Sequence, residues 1–203
     1  MYSNFFKRIL DFILSLVGFV ILLPVFILLY VILLFVNKGN PLFFQRRPGK
    51  NEKVFSIMKF KSMTDERDAN GELLPNDMRL TKFGTFIRKT SLDEIPQLIN
   101  VIKGDMSLIG PRPLRVHYIA YYSERERTRH SVRPGITGLA QVSGRNALNW
   151  DDKLELDAKY VENLSFVNDV KILFLTFVKL FNSSNTVTNA ELRALDYYRV
   201  KQG

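Results

Sequence analysis

The architecture of this chain is decided by the stretch Phe12–Val36, FILSLVGFVILLPVFILLYVILLFV. It carries no charged residue, and as a straight helix it would reach about 37 Å, against a hydrocarbon core of about 30 Å. The run is too long for a signal peptide, and no small-residue cleavage site follows it. The sequence therefore predicts a membrane helix.

Two features bear on how this helix meets the membrane. Pro24 stands at its middle, where a proline removes a backbone donor and kinks a helix. Basic residues, which favour the cytoplasmic side, flank both ends: Lys7, Arg8, Lys38, Arg46, Arg47 and Lys50. A re-entrant helix bent at Pro24 would keep both ends inside, whereas a spanning helix would tolerate the proline. On these residues alone both interpretations stay open.

The composition limits the partners and cofactors. The 203 residues carry a formal net charge of +9, with no cysteine and two histidines. Disulfides, thiolate metal sites and cysteine nucleophiles are therefore excluded. The positive excess indicates a polyanionic partner. Beside an apolar segment we expect lipid headgroups and a phosphate-bearing substrate, with nucleic acid as the second interpretation.

The rest of the chain predicts a mainly helical α+β domain. The connector Arg47–Asn51 (RPGKN) has hairpin-loop chemistry and joins two predicted strands, Leu42–Arg46 and Lys53–Phe60. The further predicted elements are a loop or short helix over Asp65–Arg79, an amphipathic segment over Leu80–Lys89, a helix over Leu92–Ile102 that ends at Gly104, a helix over Leu114–His130 and a short strand over Leu139–Val142. A helix capped by Asn149 follows, with Leu154, Ala158, Val161 and Leu164 on one face, and then a buried or interfacial helix over Val170–Phe181.

The densest group of candidate catalytic residues is Arg88–Gln97, RKTSLDEIPQ. Ser91 and Glu94 have the spacing of a capping box, which would place Asp93 in the first helical turn with a low pKa. If the helix starts at Pro96 instead, both carboxylates project from the preceding loop. Either placement suits Mg²⁺ binding or attack on phosphorus. Acidic residues in first turns are nevertheless most often purely electrostatic.

Basic residues beside rigid turns are candidates for binding a diphosphate. An arginine binds two phosphate oxygens at once, and a neighbouring proline or glycine fixes its backbone. The candidates are Arg112 between two prolines, Arg133 before Pro-Gly, Arg145 after a glycine, and Lys59 and Lys61 at the end of a predicted strand. Each one alone is more often a solvated surface charge.

Motifs of several other enzyme classes are absent from the sequence. It contains no P-loop, no dinucleotide-binding glycine fingerprint and no Gly-x-Ser-x-Gly motif. The residues leave three hypotheses: an enzyme that acts on phosphate at a membrane, a membrane-tethered basic scaffold or adaptor without catalysis, and a membrane-anchored nucleic-acid binder.

Four further segments stand in order along the chain: Gln45–Gly49 (QRRPG), Met58–Met63 (MKFKSM), Ser91–Pro113 (SLDEIPQLINVIKGDMSLIGPRP) and Arg133–Arg145 (RPGITGLAQVSGR). Together they resemble the bacterial sugar transferase family, the monotopic polyprenol-phosphate phosphoglycosyl transferases. The likeness covers about residues 1–181. It is closest to the small enzymes that start N-linked protein glycosylation with a diacetylbacillosamine phosphate.

The resemblance implies a role for each candidate residue. Asp93 would attack the β-phosphate of a UDP-sugar and expel UMP, and polyprenyl phosphate would then attack the phosphosugar–aspartyl intermediate. Glu94 would assist with metal or proton transfer, and Mg²⁺ would bind at Asp93 and Glu94. The phosphates would be held by Arg88, Arg112, Arg145 and Lys59.

The resemblance also implies topology, location and partners. It favours the re-entrant helix bent at Pro24, although the family often has serine where this chain has Leu23. It implies a membrane helix over 1–36, a cytoplasmic catalytic domain with interfacial amphipathic helices over 37–181, and a weakly specified tail over 182–203. The place would be the cytoplasmic face of the bacterial inner membrane, at the first membrane step of glycoconjugate synthesis. The partners would be a UDP-sugar, polyprenyl phosphate, membrane lipid and downstream glycosyltransferases, but not nucleic acid.

Overall fold

The computed structural model describes residues 2–144, 148–181 and 194–200. After a π-helical turn over Tyr2–Phe6, the described chain forms the helices α1 (Lys7–Val36), α2 (Asn76–Arg79), α3 (Lys82–Lys89), α4 (Gln97–Lys103), α5 (Glu124–Arg127), α6 (Leu139–Ser143), α7 (Trp150–Glu162), α8 (Phe166–Phe181) and α9 (Leu195–Val200). The strands are β1 (Leu42–Pro48), β2 (Val54–Phe60), β3 (Ser107–Ile109) and β4 (Gly135–Thr137). The predicted mainly helical α+β class is confirmed.

The long helix α1 is long and apolar enough to cross a membrane by length and composition. Its apolar side chains are largely exposed, with Val20, Ile21 and Leu28 at 61%, 69% and 60%. A soluble helix would cover such side chains against a core, so this surface is suited to lipid.

Both ends of α1 contact the rest of the chain. Near its start, Arg8 donates hydrogen bonds to the carbonyl oxygens of Val101 (2.6 Å) and Ile102 (2.8 Å), at the end of α4. Near its end, Leu29 and Leu33 are buried in a cluster with three residues of the domain, Phe60, Ile87 and Ile95. Both ends of α1 are therefore attached to the domain.

The sheets are small. β1 and β2 pair antiparallel from Leu42↔Phe60 to Pro48↔Val54, which confirms the predicted hairpin and extends its first strand to Pro48. β3 and β4 form a parallel pair that the sequence did not predict, with Ser107 opposite Gly135. Three-residue strands are too short to produce a visible alternation of polar and apolar residues.

One buried amide joins the hairpin to α4. The side chain of Asn100, 2% exposed, accepts a hydrogen bond from the backbone N–H of Met58 and donates one to the carbonyl of Ser56, both at 2.9 Å. The chain segment that leads into α4 is thereby fixed beside the end of β2. That segment carries Asp93 and Glu94, and the end of β2 carries Lys59.

Several local predictions are confirmed. The side chain of Asn149 caps α7 by accepting a hydrogen bond from the backbone N–H of Asp152 at 2.7 Å. The predicted apolar face of α7 is buried at Leu154 and Ala158. Gly104 ends α4 with a φ of +95°, a left-handed conformation that favours glycine. A short helix, α2, lies within the predicted loop region 65–79.

Two predicted elements are wrong. The single helix over Leu114–His130 is instead a 3-10 helix over Val116–Tyr121, then α5, then a 3-10 helix over Thr128–Ser131. Ser123 starts a new capping box in the middle of that stretch, which interrupts any continuous helix. The strand over Leu139–Val142 is instead helix α6, because four residues of which three are apolar fit a short helix as well as a strand.

The helix α8 is amphipathic rather than buried all round. Ile172 is 3% exposed and packs on the domain, whereas Phe174 and Phe177 are 66% and 55% exposed. The sequence left a buried helix and an interfacial helix as alternatives. The buried helix is wrong for the face that carries Phe174 and Phe177, because this face is exposed. Beyond α8, the described part of the tail forms α9, whose Leu195 is buried against Tyr118 and Trp150.

Candidate active site

A cleft of about 990 Å³ opens beside the carboxylate pair Asp93 and Glu94. Its walls come from β1, β2, the start of α4, the turn after β3 and the start of α7. In the described chain, four acidic residues line it against nine basic ones: Arg47, Lys59, Lys61, Arg79, Arg88, Arg112, Arg115, Arg129 and Lys153. Such a cationic cleft suits a substrate with several phosphate charges.

The two carboxylates project from a 3-10 turn over Leu92–Glu94, just before α4. The predicted capping box is wrong, because Ser91 has a φ of +57° and its side chain makes no capping hydrogen bond. The alternative prediction is confirmed, since Pro96 is the N-cap of α4, which begins at Gln97. Long-range contacts of Glu94 replace the local cap.

Glu94 is held by two cations. Its Oε1 accepts hydrogen bonds from Lys59 Nζ at 2.6 Å and from Arg112 Nη2 at 2.7 Å. Burial alone would raise the pKa of this carboxyl, but the charges of Arg112 and Lys59 outweigh it and lower the pKa from 4.5 to about 2. Glu94 in turn raises the pKa of the Arg112 guanidinium. At neutral pH the three groups form a fixed ionic cluster.

Asp93 differs from its neighbour. It is 9% exposed, and its Oδ2 lies 3.8 Å from Lys59 Nζ, too far for a hydrogen bond. Burial raises its pKa above the usual value, with Lys59 opposing and Glu94 reinforcing that rise. The sequence prediction of a low pKa is therefore wrong, because burial outweighs the nearby cations. Within the described chain, Asp93 keeps a desolvated carboxylate with no hydrogen bond to either oxygen.

The structure brings most of the predicted phosphate-binding residues together. Lys59, Arg88 and Arg112 all line the cleft, and Arg88 donates a hydrogen bond from Nε to Ser62 Oγ at 2.7 Å. Lys61 also lines the cleft and pairs with Asp65. Arg133 instead donates to the carbonyl of Gly104 at 2.8 Å and is not among the lining residues. The prediction for Arg145 falls outside the described residues.

Sequence reasoning missed further cleft residues. Arg129 and Asp157 form a buried ion pair at 2.7 Å, and Arg129 also donates to the carbonyl of Arg112, which fixes the backbone there. Arg47 lies in the quoted QRRPG segment, and burial with nearby arginines lowers its pKa to about 10. Arg47 is two residues after Gln45 on β1, and alternate residues of a strand lie on the same face. This spacing was the signal in the sequence that places Arg47 on the same side as Gln45.

The carboxylate pair supplies too few side chains to hold Mg²⁺ by itself, but it can bind the ion together with a phosphate substrate. In the described chain, no group of three or more His, Cys, Asp or Glu residues could hold a metal ion. Mg²⁺ often binds through one or two carboxylates together with substrate phosphates and water. Asp93 has both oxygens free of hydrogen bonds in the described chain, and the two cations on Glu94 share Oε1, so the donors present suit that mode.

Residues 2–183 match the family described as bacterial sugar transferases. The chain belongs to the bacterial sugar transferase family. Among its relatives is the sugar transferase EpsL of Bacillus subtilis, described as uncharacterized and 53% identical over 160 residues, which are 78% of this chain and 79% of the relative. The family predicted from the four motifs is confirmed, and with it the enzyme class of phosphoglycosyl transferase.

Two further relatives are larger than the matched region. The undecaprenyl-phosphate galactose phosphotransferase of Salmonella typhimurium is 39% identical over 192 residues, 86% of this chain and 40% of the relative. The UDP-glucose:undecaprenyl-phosphate glucose-1-phosphate transferase of Klebsiella pneumoniae is 38% identical over 186 residues, 87% of this chain and 40% of the relative. The chain thus spans about two fifths of these two family members.

Proposed function

We propose that this chain transfers a sugar phosphate from a UDP-sugar to undecaprenyl phosphate, giving undecaprenyl-diphosphate-sugar and UMP. The family membership and the two relatives named for undecaprenyl phosphate support the reaction class. One observation carries the proposal for this chain: a buried carboxylate without a hydrogen-bonding partner in the described chain, Asp93, lies in a large cleft whose charged lining residues are mainly cations.

In the proposed first step, a carboxylate oxygen of Asp93 attacks the sugar-bearing phosphorus of the donor. A bond forms between this oxygen and phosphorus, and the bond to the UMP oxygen breaks, so that UMP leaves with the electron pair. In the second step a phosphate oxygen of the acceptor attacks the same phosphorus, and Asp93 leaves as a carboxylate. A desolvated carboxylate is suited to this role, because little water has to be removed before it attacks.

The cations around Asp93 have a positioning and electrostatic role in this proposal. Lys59 and Arg112 form ion pairs with Glu94, and Lys59 also lies 3.8 Å from Asp93. In these positions the two cations can offset charge on the transferred phosphate. The low pKa of Glu94 keeps it ionised at neutral pH, which favours holding cations over transferring a proton. Arg88, which also lines the cleft, is proposed to bind a phosphate, and Arg145 is proposed to bind one as the sequence predicts.

Mg²⁺ remains part of the proposal. Asp93 and Glu94 would hold it together with the donor's diphosphate, and when bound it would neutralise charge on that diphosphate. The sugar also remains a prediction. The relatives are named for galactose and glucose, and the expected diacetylbacillosamine phosphate requires a direct test.

The proposal includes a re-entrant helix bent at Pro24. From Arg8 to Leu29 a straight helix would rise about 32 Å at about 1.5 Å per residue. Arg8 bonds to the carbonyl of Val101, and the cluster that contains Leu29 also contains Ile95, only six residues before Val101. A helix that doubles back satisfies both contacts, and Pro24 is the interruption available within it. Both flanks of α1 then lie on the cytoplasmic side, with the exposed face of α8 at the lipid surface.

The topology can be tested separately from the chemistry. Single cysteines at Ser3 and Asn40 (Ser3→Cys, Asn40→Cys) should both react with a membrane-impermeant maleimide added to the cytoplasmic side of inverted vesicles. Reaction of the two positions from opposite sides would exclude re-entry. The division into a membrane helix over 1–36, a catalytic domain over 37–181 and a tail over 182–203 stays with this proposal.

The covalent step is tested with Asp93→Asn. We expect the wild type to release UMP from a UDP-sugar without acceptor, in an amount equal to the enzyme, and to gain the mass of a phosphosugar on the peptide that holds Asp93. The variant should do neither. Near-normal turnover of Asp93→Asn, or UMP release that always requires acceptor, would refute the nucleophile.

A further inference from the structure

The cleft has an apolar end that adjoins the membrane helix. Leu22 and Phe60 line the cleft and belong to the cluster that α1 forms with the domain. Trp150 lines the cleft too, but it belongs to a different cluster, with Tyr118 and Leu154. The cleft therefore extends from the helix α1 to the start of α7.

The strand β1 orders the chemistry along this cleft. Phe43, Gln45 and Arg47 line it, whereas the intervening Phe44 and Arg46 are not among its lining residues, as expected for alternating side chains. Along this face the side chains change from an aromatic ring at Phe43 to an amide at Gln45 and a guanidinium at Arg47; these three residues are called the row below. Over four residues the row extends about 13 Å at about 3.3 Å per residue.

The register of the hairpin places the aromatic end of this row beside the carboxylates. Phe43 pairs with Lys59, and directly opposite residues on antiparallel strands have Cβ atoms about 5 Å apart on one face. Lys59 Nζ is 2.6 Å from Glu94 and 3.8 Å from Asp93. Phe43 remains 43% exposed in a cleft whose charged lining residues are mainly cations.

We propose that Leu22 and Phe43 form the subsite for the first isoprenoid units of the acceptor. This inference rests on the proposed function. The acceptor joins a phosphate to an apolar chain, and this end of the cleft offers a cation, Lys59, directly beside an exposed ring. Leu22 belongs to the apolar helix, so the rest of the chain can continue from there into lipid. The donor's nucleotide then occupies the opposite end, toward Arg47.

The test uses neighbouring phenylalanines as a matched pair. In Phe43→Ala the KM for undecaprenyl phosphate should rise about fivefold to tenfold, because the isoprenoid loses part of its apolar contact. Phe44→Ala removes a somewhat more exposed ring, 56% against 43%, from the other face of β1 and controls for membrane binding; its KM should stay within about twofold of wild type. A rise confined to the acceptor's KM supports the subsite.

A second pair of variants tests the contribution of α1. It gives an independent result if Phe43→Ala does not fold. Leu22→Ala should raise the acceptor's KM, and Leu28→Ala, on the same helix but 60% exposed and not among the lining residues, should not. If wild type makes no undecaprenyl-diphosphate-sugar from any UDP-sugar, the proposed function fails. If wild type makes it but each test variant matches its control, or the donor's KM rises equally, only the subsite fails.

Discussion

Replacing Glu94 with glutamine (Glu94→Gln) tests how strongly Lys59 and Arg112 hold the carboxylate pair. The pKa of Glu94 is lowered from 4.5 to about 2, mainly by those two charges, and its side chain is 16% exposed. At about 1.4 kcal/mol for each pKa unit, this difference corresponds to about 3 kcal/mol of folding free energy at neutral pH. For a chain of this size the loss would lower Tm by roughly 6–12 °C.

The sign of the pH dependence follows from the lowered pKa. The folded state binds this proton less tightly than the unfolded state, so the stabilisation is fully present above pH 4.5 and is lost as the pH falls toward 2. The wild type should therefore exceed Glu94→Gln in stability at pH 7, and the gap should narrow between pH 4.5 and pH 3.

The assay is thermal or urea unfolding of the detergent-solubilised protein, followed by circular dichroism at pH 7 and pH 3. Glu66→Gln, an exposed carboxyl in the loop after β2, is the control and should change stability by no more than about 0.5 kcal/mol. A gap between wild type and Glu94→Gln that is absent at pH 7, or equally large at both pH values, would refute the reasoning.

Two further predictions concern the frame around the site. Arg129→Met leaves the buried carboxylate of Asp157 without its cation and should cost about 3–5 kcal/mol in urea unfolding, while adding Asp157→Leu should recover much of that loss; an additive double variant would contradict a direct pair. Gly84→Ala should cost about 1–3 kcal/mol, because a Cβ there would lie 1.9 Å from the carbonyl oxygen of Ser62. Gly18→Ala, with nothing within 4 Å, is the control and should be neutral or slightly stabilising.

Local signals in the sequence predicted the elements that local chemistry controls. The hairpin followed from the Arg47–Asn51 connector, the start of α7 from the side chain of Asn149, and the end of α4 from Gly104. The four-motif resemblance identified the family and placed Lys59, Arg88 and Arg112 in one group of candidates, which the cleft brings together.

Contacts between distant residues account for what the sequence did not predict. The capping box at Ser91 fails because Glu94 binds Lys59 and Arg112, which are 35 and 18 residues away. The pKa of Asp93 depends on burial, which no local pattern reports. The parallel pair β3–β4 joins short segments nearly thirty residues apart, so its pairing is visible only in three dimensions.

The amide of Asn100 has a consequence for the behaviour of the protein outside the reaction. Its oxygen and nitrogen occupy the hydrogen-bonding positions on the outer edge of β2 that the backbone of another strand would otherwise take. An unprotected edge recruits strands from other chains and seeds aggregation. With these two bonds one side chain covers this part of the hairpin edge against pairing with a strand of another chain. Asn100→Ala should therefore increase the fraction of insoluble protein, in addition to loosening the segment that carries Asp93 and Glu94.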